Sequence, residues 1–190
     1  MGFDLYGIEP VNGQFIPKEP DWELAKQKDR EKYWDACDEH DIKYPGRYFR
    51  NNVWYWRPLW LFICSEVAPD TLSEEDKDHG HYNDFYPIDK DKAIYIADKI
   101  DELDEAGVLD EYEINWEKNK EETEDEPCTH CDESNKKFED RASLQSDLLG
   151  CHVCNGTGMV RPFDTNYIFE ASNVREFGKF ARGSGGFTIG

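Results

Sequence analysis

Apolar and polar positions alternate at the start of the chain. Phe3, Leu5 with Tyr6, and Ile8 predict a first strand over residues 1–8. Pro10, Gly13, Pro17 and Pro20 then break the chain into turns. Asp21 predicts the cap of a helix from Trp22 to about Asp38, with a stripe of Trp22, Ala25, Tyr33 or Trp34, and Cys37. So thin a stripe predicts a surface helix packed along one edge.

Residues 44–68 hold the densest aromatic run. Pro58 fits the first turn of a helix, where no amide donor is lost. From Leu59 to Val67 the residues are apolar on nearly all sides, which predicts a central helix, with Val53–Trp56 as a short strand or extended lead-in. Residues 69–88 read as a loop. Asp89 caps an amphipathic helix carrying Ala93, Ile96, Ala97, Ile100 and Leu103, and Gly107 stops it. Leu109 to Lys120 predicts a further helix anchored by Tyr112, Ile114 and Trp116. Residues 163–170 read as a strand. Ser172 predicts the cap of a last helix through Val174, Phe177, Phe180 and Ala181, stopped by Gly183. Phe187 and Ile189 in the Gly-rich tail predict a terminal strand. That tail has neither the lysine nor the strand–loop–helix setting of a phosphate loop.

The fold class expected from this order is α+β: a small mixed or antiparallel sheet covered by helices, with an inserted zinc ribbon. The expected boundaries are a core over 1–120, an acidic linker at 121–127, the ribbon at 128–160, and a strand and helix at 161–190 that pack back on the core. With 190 residues, 14% of them aromatic, the chain is large enough for one sizeable core plus a small module.

Charge narrows the partners. The formal net charge is −20, which argues against direct nucleic-acid contact, since phosphates need clustered Lys and Arg. Between Asp101 and Glu126 thirteen residues are acidic and two basic, more than half of that net charge. The run is either a solvated face or a surface that imitates a nucleic acid toward a basic partner; Asp110, Glu111, Glu113 and Glu117 are its candidate contacts. No stretch of 18 apolar residues occurs, and the first residues lack the basic start and apolar core of a signal peptide, so a cytoplasmic protein is expected.

One stretch states its chemistry through spacing. Pro127-Cys128-Thr-His-Cys131 is followed, after nineteen residues, by Cys151-His-Val-Cys154-Asn-Gly156-Thr-Gly158. Two facing Cys-x-x-Cys knuckles predict one structural zinc ion per chain, held by Cys128, Cys131, Cys151 and Cys154. Four thiolates close the coordination sphere and leave no open position for a catalytic water. His130 or His152 in place of a cysteine, and an iron–sulfur cluster in place of zinc, are the alternatives. Gly156 and Gly158 leave room for amides to point at sulfur. Cys37 and Cys64 are left over and read as reduced, buried thiols.

Two weaker constellations remain. Arg50, Trp54, Trp56 and Arg57 form either a cation–π ligand cage or a packed core with paired arginines. His79, His81 and Asp84 offer metal-binding or acid–base groups without a further ligand at a fixed spacing.

The second knuckle, Cys-x-x-Cys-x-Gly-x-Gly, resembles the repeats of the zinc region of DnaJ-type chaperones over about thirty residues. Asp132 and Glu133 depart from that glycine pattern, and no His-Pro-Asp signature is present, so the resemblance implies a metal site and not a chaperone. More broadly, Met1-Gly-Phe-Asp-Leu-Tyr-Gly7, Tyr48-Phe-Arg-Asn-Asn-Val-Trp-Tyr-Trp-Arg-Pro-Leu-Trp60, the Cys-x-Gly-x-Gly knuckle, Asn173-Val-Arg-Glu-Phe177 and Ser184-Gly-Gly-Phe187 resemble a family of small bacteriophage and prophage proteins. That resemblance implies the cytoplasm of an infected bacterial host and carries over no catalytic residues. The leading expectation is a non-enzymatic accessory protein that binds and inhibits a host protein with a basic surface, such as a defence component. A ligand-sequestering protein and an enzyme are the alternatives. The oligomeric state is left open.

Overall fold

The computed structural model describes residues 2–11, 17–130, 151, 153–155 and 157–190, and the chain divides into two compact units. The first comprises Met1–Asn115 with Tyr167–Gly190, and the second Trp116–Asn166.

The first unit is α+β, built on a four-stranded antiparallel sheet. Strand β1 (Gly2–Gly7) pairs on one side with β2 (Tyr48–Asn52) and on the other with β6 (Phe187–Ile189); β6 in turn pairs with β3 (Tyr86–Ile88). Asp4 and Gly190 exchange backbone hydrogen bonds of 2.8 Å in both directions, so the two ends of the chain meet at the sheet centre. Phe3 and Leu5 of β1, and Phe187 and Ile189 of β6, point into the core as period-two alternation requires.

Helix α1 spans Gln27–Lys43, five residues later than expected. The Asp21 carboxylate accepts from the Glu23 amide and closes a turn; the helix begins instead where Asp29 accepts from the Lys26 amide at 3.1 Å. Trp22, outside the helix, packs edge-on against Tyr33 with ring centroids 5.3 Å apart.

Helix α2 runs Val53–Phe62 and continues as a π-helical segment at Ile63–Val67. The expected strand or lead-in at 53–56 is therefore helical. Asn52 is the reason: its side-chain oxygen accepts from the amides of Trp54 (2.9 Å) and Tyr55 (3.3 Å). Pro58 then lies inside the helix and leaves the Trp54 carbonyl without its usual donor. The Ile168 amide, at 2.9 Å, takes that carbonyl.

The expected loop at 69–88 contains α3 (Glu74–His79), capped by Ser73, as well as β3. Helix α4 (Lys90–Glu105) is capped by Asp89 and stops before Gly107, whose φ is +75°. Helix α5 is Val108–Glu122 and α6 is Ala171–Ser184. Ser172 does not cap α6; the Glu113 carboxylate accepts the Ala171 amide at 2.9 Å instead. The left-handed stop is Gly185 (φ +64°), not Gly183. Residues 163–170, expected as a strand, form a 3-10 turn at Phe163–Asn166 followed by irregular chain.

The core is aromatic. Trp56 and Trp60 are fully buried and stack at 5.4 Å, Phe177 meets Trp56 edge-on at 5.8 Å and Phe187 at 5.7 Å, and Phe62, Phe169 and Phe180 are buried as well. Helix α6 lies against α4: a Cβ on Gly178 would come within 3.1 Å of Ile100. Arg175 and Arg182 of α6 pair with Asp104 and with Asp98 and Asp101 of α4.

In the second unit β4 (Glu126–Pro127) pairs antiparallel with β5 (Met159–Val160). Arg161 donates to the carbonyls of Lys120 and Thr123, satisfying acceptors at the C-terminal end of α5.

Candidate metal centre

The β4–β5 pair sets Cys128 beside the turn that follows Cys154. The Cys128 amide donates to the Gly158 carbonyl at 2.8 Å, directly after the Glu126↔Val160 and Pro127↔Met159 register. Past Cys154 the chain turns sharply: Asn155 has φ +52° and Gly158 φ +75°, and the Thr157 amide and hydroxyl both return to the Cys154 carbonyl. That turn aims the Gly158 amide at the Cys154 sulfur, 3.3 Å away. An amide donating to sulfur favours the thiolate form, as the outer shell of a metal–thiolate site does.

The sulfurs of Cys128, Cys151 and Cys154 all lie within 4.8 Å of one another. Cys128 and Cys151 are 3.9 Å apart, far beyond the roughly 2.05 Å of a disulfide, so these are converging free thiols. They could hold a metal ion. Cys131, His152 and Gly156 lie outside the described residues. His130 is exposed.

The other predicted sites resolve differently. Trp56 has no exposed surface, and its indole N–H donates to the Gly80 carbonyl at 2.8 Å. A ligand cannot reach it, so the cage of Arg50, Trp54, Trp56 and Arg57 does not assemble. Trp54 packs near Tyr167 with ring centroids 5.6 Å apart, Arg50 lies 3.6 Å from Asp4, and Arg57 is exposed. The packed-core alternative holds for Trp56 but not fully for Trp54, which is 37% exposed.

His79 and Asp84 do meet, at 2.5 Å, and the His79 ring stacks on Tyr86 at 4.1 Å. The hydrogen bond from His79 lowers the Asp84 pKa. His81 is not gathered with them into a ligand set; among the described residues the cysteine group alone has that geometry. The second oxygen of Asp84 accepts the Tyr86 amide, so the pair ties down the turn before β3.

Of the four acidic candidates, three have partners within the chain. Asp110 pairs with Arg175 at 2.6 Å, Glu113 accepts the Ala171 amide, and Glu117 pairs with Lys120 at 2.9 Å. Glu111 is exposed. Cys37 is buried as expected; Cys64 is only partly buried, and desolvation pushes its thiol up to about 12, so it stays protonated. No described helix is long and apolar enough to cross a membrane. The sequence signalled the knuckle spacing and the His79–Asp84 neighbourhood, but not Asp76, a fully buried carboxylate bonded to Lys92 and Ser73.

Comparison of the chain with protein-family models, with curated proteins and with solved structures gives no match.

Proposed function

We propose that this chain is a zinc-stapled, non-enzymatic binding protein that engages a basic protein partner through its acidic surface. The thiol cluster carries the zinc part. A tetrahedral zinc–thiolate site with bonds of about 2.3 Å has sulfur–sulfur edges of about 3.8 Å, and the Cys128–Cys151 separation is 3.9 Å. With Cys131 as the fourth ligand the sphere is closed, so the ion holds structure and activates no water. The net charge of −20 supports the partner chemistry, because a one-sign field speeds encounter with an oppositely charged surface. Contact is better assigned to outward carboxylates such as Glu105 and Glu111 than to Asp110, Glu113 and Glu117, which are engaged within the chain.

The phage resemblance supports a setting inside an infected bacterium, where such a protein would occupy the nucleic-acid-binding groove of a host defence component and inhibit it. Affinity capture from bacterial lysate tests this reading. The expected result is a basic protein retained at low salt and released at high salt, where screening shortens to about 3 Å. Capture that is indifferent to salt overturns it.

A further inference from the structure

The four-stranded sheet has a face turned away from the core. Phe3, Leu5, Phe187 and Ile189 are buried, so the alternate residues of the same strands occupy the opposite face. One registered row there runs Tyr48, Tyr6, Thr188, Pro87 across all four strands. Tyr6 packs on Tyr48 with centroids 5.4 Å apart, and lies 6.3 Å from Phe85 with the rings 25° from parallel. Tyr6 is 44% and Phe85 61% exposed.

Phe85 is held against its own preference. Its φ is +62°, a region where a bulky residue is an outlier and Asn or Gly is at ease. The backbone there is pinned by the Phe85 amide donating to the Ile189 carbonyl at 2.7 Å. The ring adds little to the core, since most of it faces water. A strained residue kept to display an exposed aromatic ring points to binding rather than to stability. Beside the rings, Asp4 takes the Tyr48 hydroxyl and sits 3.6 Å from the exposed Arg50.

We propose that this aromatic face, with Phe85, Tyr6 and Tyr48 as its platform, docks an arginine-rich segment of a basic protein. The proposal rests on the basic-partner reading and adds a second contact, on the sheet face, to the outward carboxylates that draw the partner in. Charge selects the occupant: at −20, a nucleic acid, an anionic bilayer and a second copy of the chain are all repelled, whereas a cationic segment is drawn in. Guanidinium is the better cation for the platform, because it stacks flat on aromatic rings; an ammonium is a compact point charge.

The test measures binding of short oligo-arginine and oligo-lysine peptides of equal length to the intact zinc-loaded chain, and to Phe85→Asn alone and combined with Tyr6→Ser. The parent should prefer oligo-arginine by about tenfold, the size expected of a few exposed cation–π contacts. Both variants should lose most of that preference while keeping the salt dependence. Asn suits the positive φ, so Phe85→Asn should melt no lower than the parent, which keeps loss of binding distinct from loss of fold. A preference that survives in the variants overturns the docking face and leaves the basic-partner reading standing. A parent that binds both peptides alike, with salt sensitivity, does the same. A parent that binds neither at low salt overturns both.

Discussion

Trp56 shows at the residue scale why the aromatic run is core. It has no exposure, stacks on Phe3 and Trp60 at 5.4 Å each, and its indole N–H is bonded to Gly80. Gly80 itself sits so close that a Cβ would fall 1.9 Å from the Trp60 ring. Trp56→Ala should destabilise the first unit by about 3–5 kcal/mol in chemical denaturation; a loss under about 1 kcal/mol would mean the site is not packed as described. Asp76 yields a pH prediction. Burial pushes its pKa up, but the Lys92 bond and the Ser73 donors outweigh this, so the folded value lies below the unfolded one. Its contribution is therefore present above the unfolded carboxylate pKa and lost as pH falls through the folded value. Stability should decline below about pH 4, and Asp76→Asn, less stable at neutral pH, should decline less steeply. Parallel curves for the two proteins would remove Asp76 from the acid transition. The packed-core reading of Trp56 was open in the sequence; its bond to Gly80 and the Asp76–Lys92 pair were not, because those partners meet only through the fold.

At the scale of elements, local signals succeeded where they acted alone. Helix α4 has a strict apolar repeat, a capping Asp89 and a stopping Gly107, and it forms at the expected place. Helix α2 starts five residues before Pro58, although proline favours a first turn. The stronger signal was Asn52, and the carbonyl freed by Pro58 is satisfied by Ile168, a donor 110 positions after the proline. Asn52→Ala should cost about 1 kcal/mol, read as a lower melting temperature with unchanged helix content in the rest of the chain. Residues 163–170 looked strand-like because Phe163, Tyr167 and Phe169 are spaced aromatics. Phe169 is buried instead against Phe62 and Tyr112, 5.2 and 4.6 Å away. The start of α6 is likewise set from a distance: its first amide is taken by Glu113, 58 residues upstream.

Across the whole molecule, the α+β class and the convergence of thiols were legible, the first from element order and the second from knuckle spacing. The aromatic face was not, since Tyr6 and Phe85 become neighbours only when β1, β6 and β3 align. Charge was legible as a total but not in its division between internal pairs and open surface. Neutralising Asp110, Glu111, Glu113 and Glu117 together should lower stability, because Arg175 loses one of its two carboxylates. Glu105→Gln with Glu111→Gln should instead leave the melting temperature unchanged and slow association with a basic partner. Equal association rates for parent and double variant would reduce the acidic run to a solvated face.

The account rests most heavily on the metal, and elemental analysis of the purified chain beside its Cys151→Ser variant tests it directly. The parent should carry one zinc per chain, and the variant should lose it while the near-ultraviolet signal of the Trp56–Trp60 core persists, because that core has its own buried aromatics. Full zinc content in Cys151→Ser, or iron with a visible absorption band in place of zinc in the parent, would contradict it.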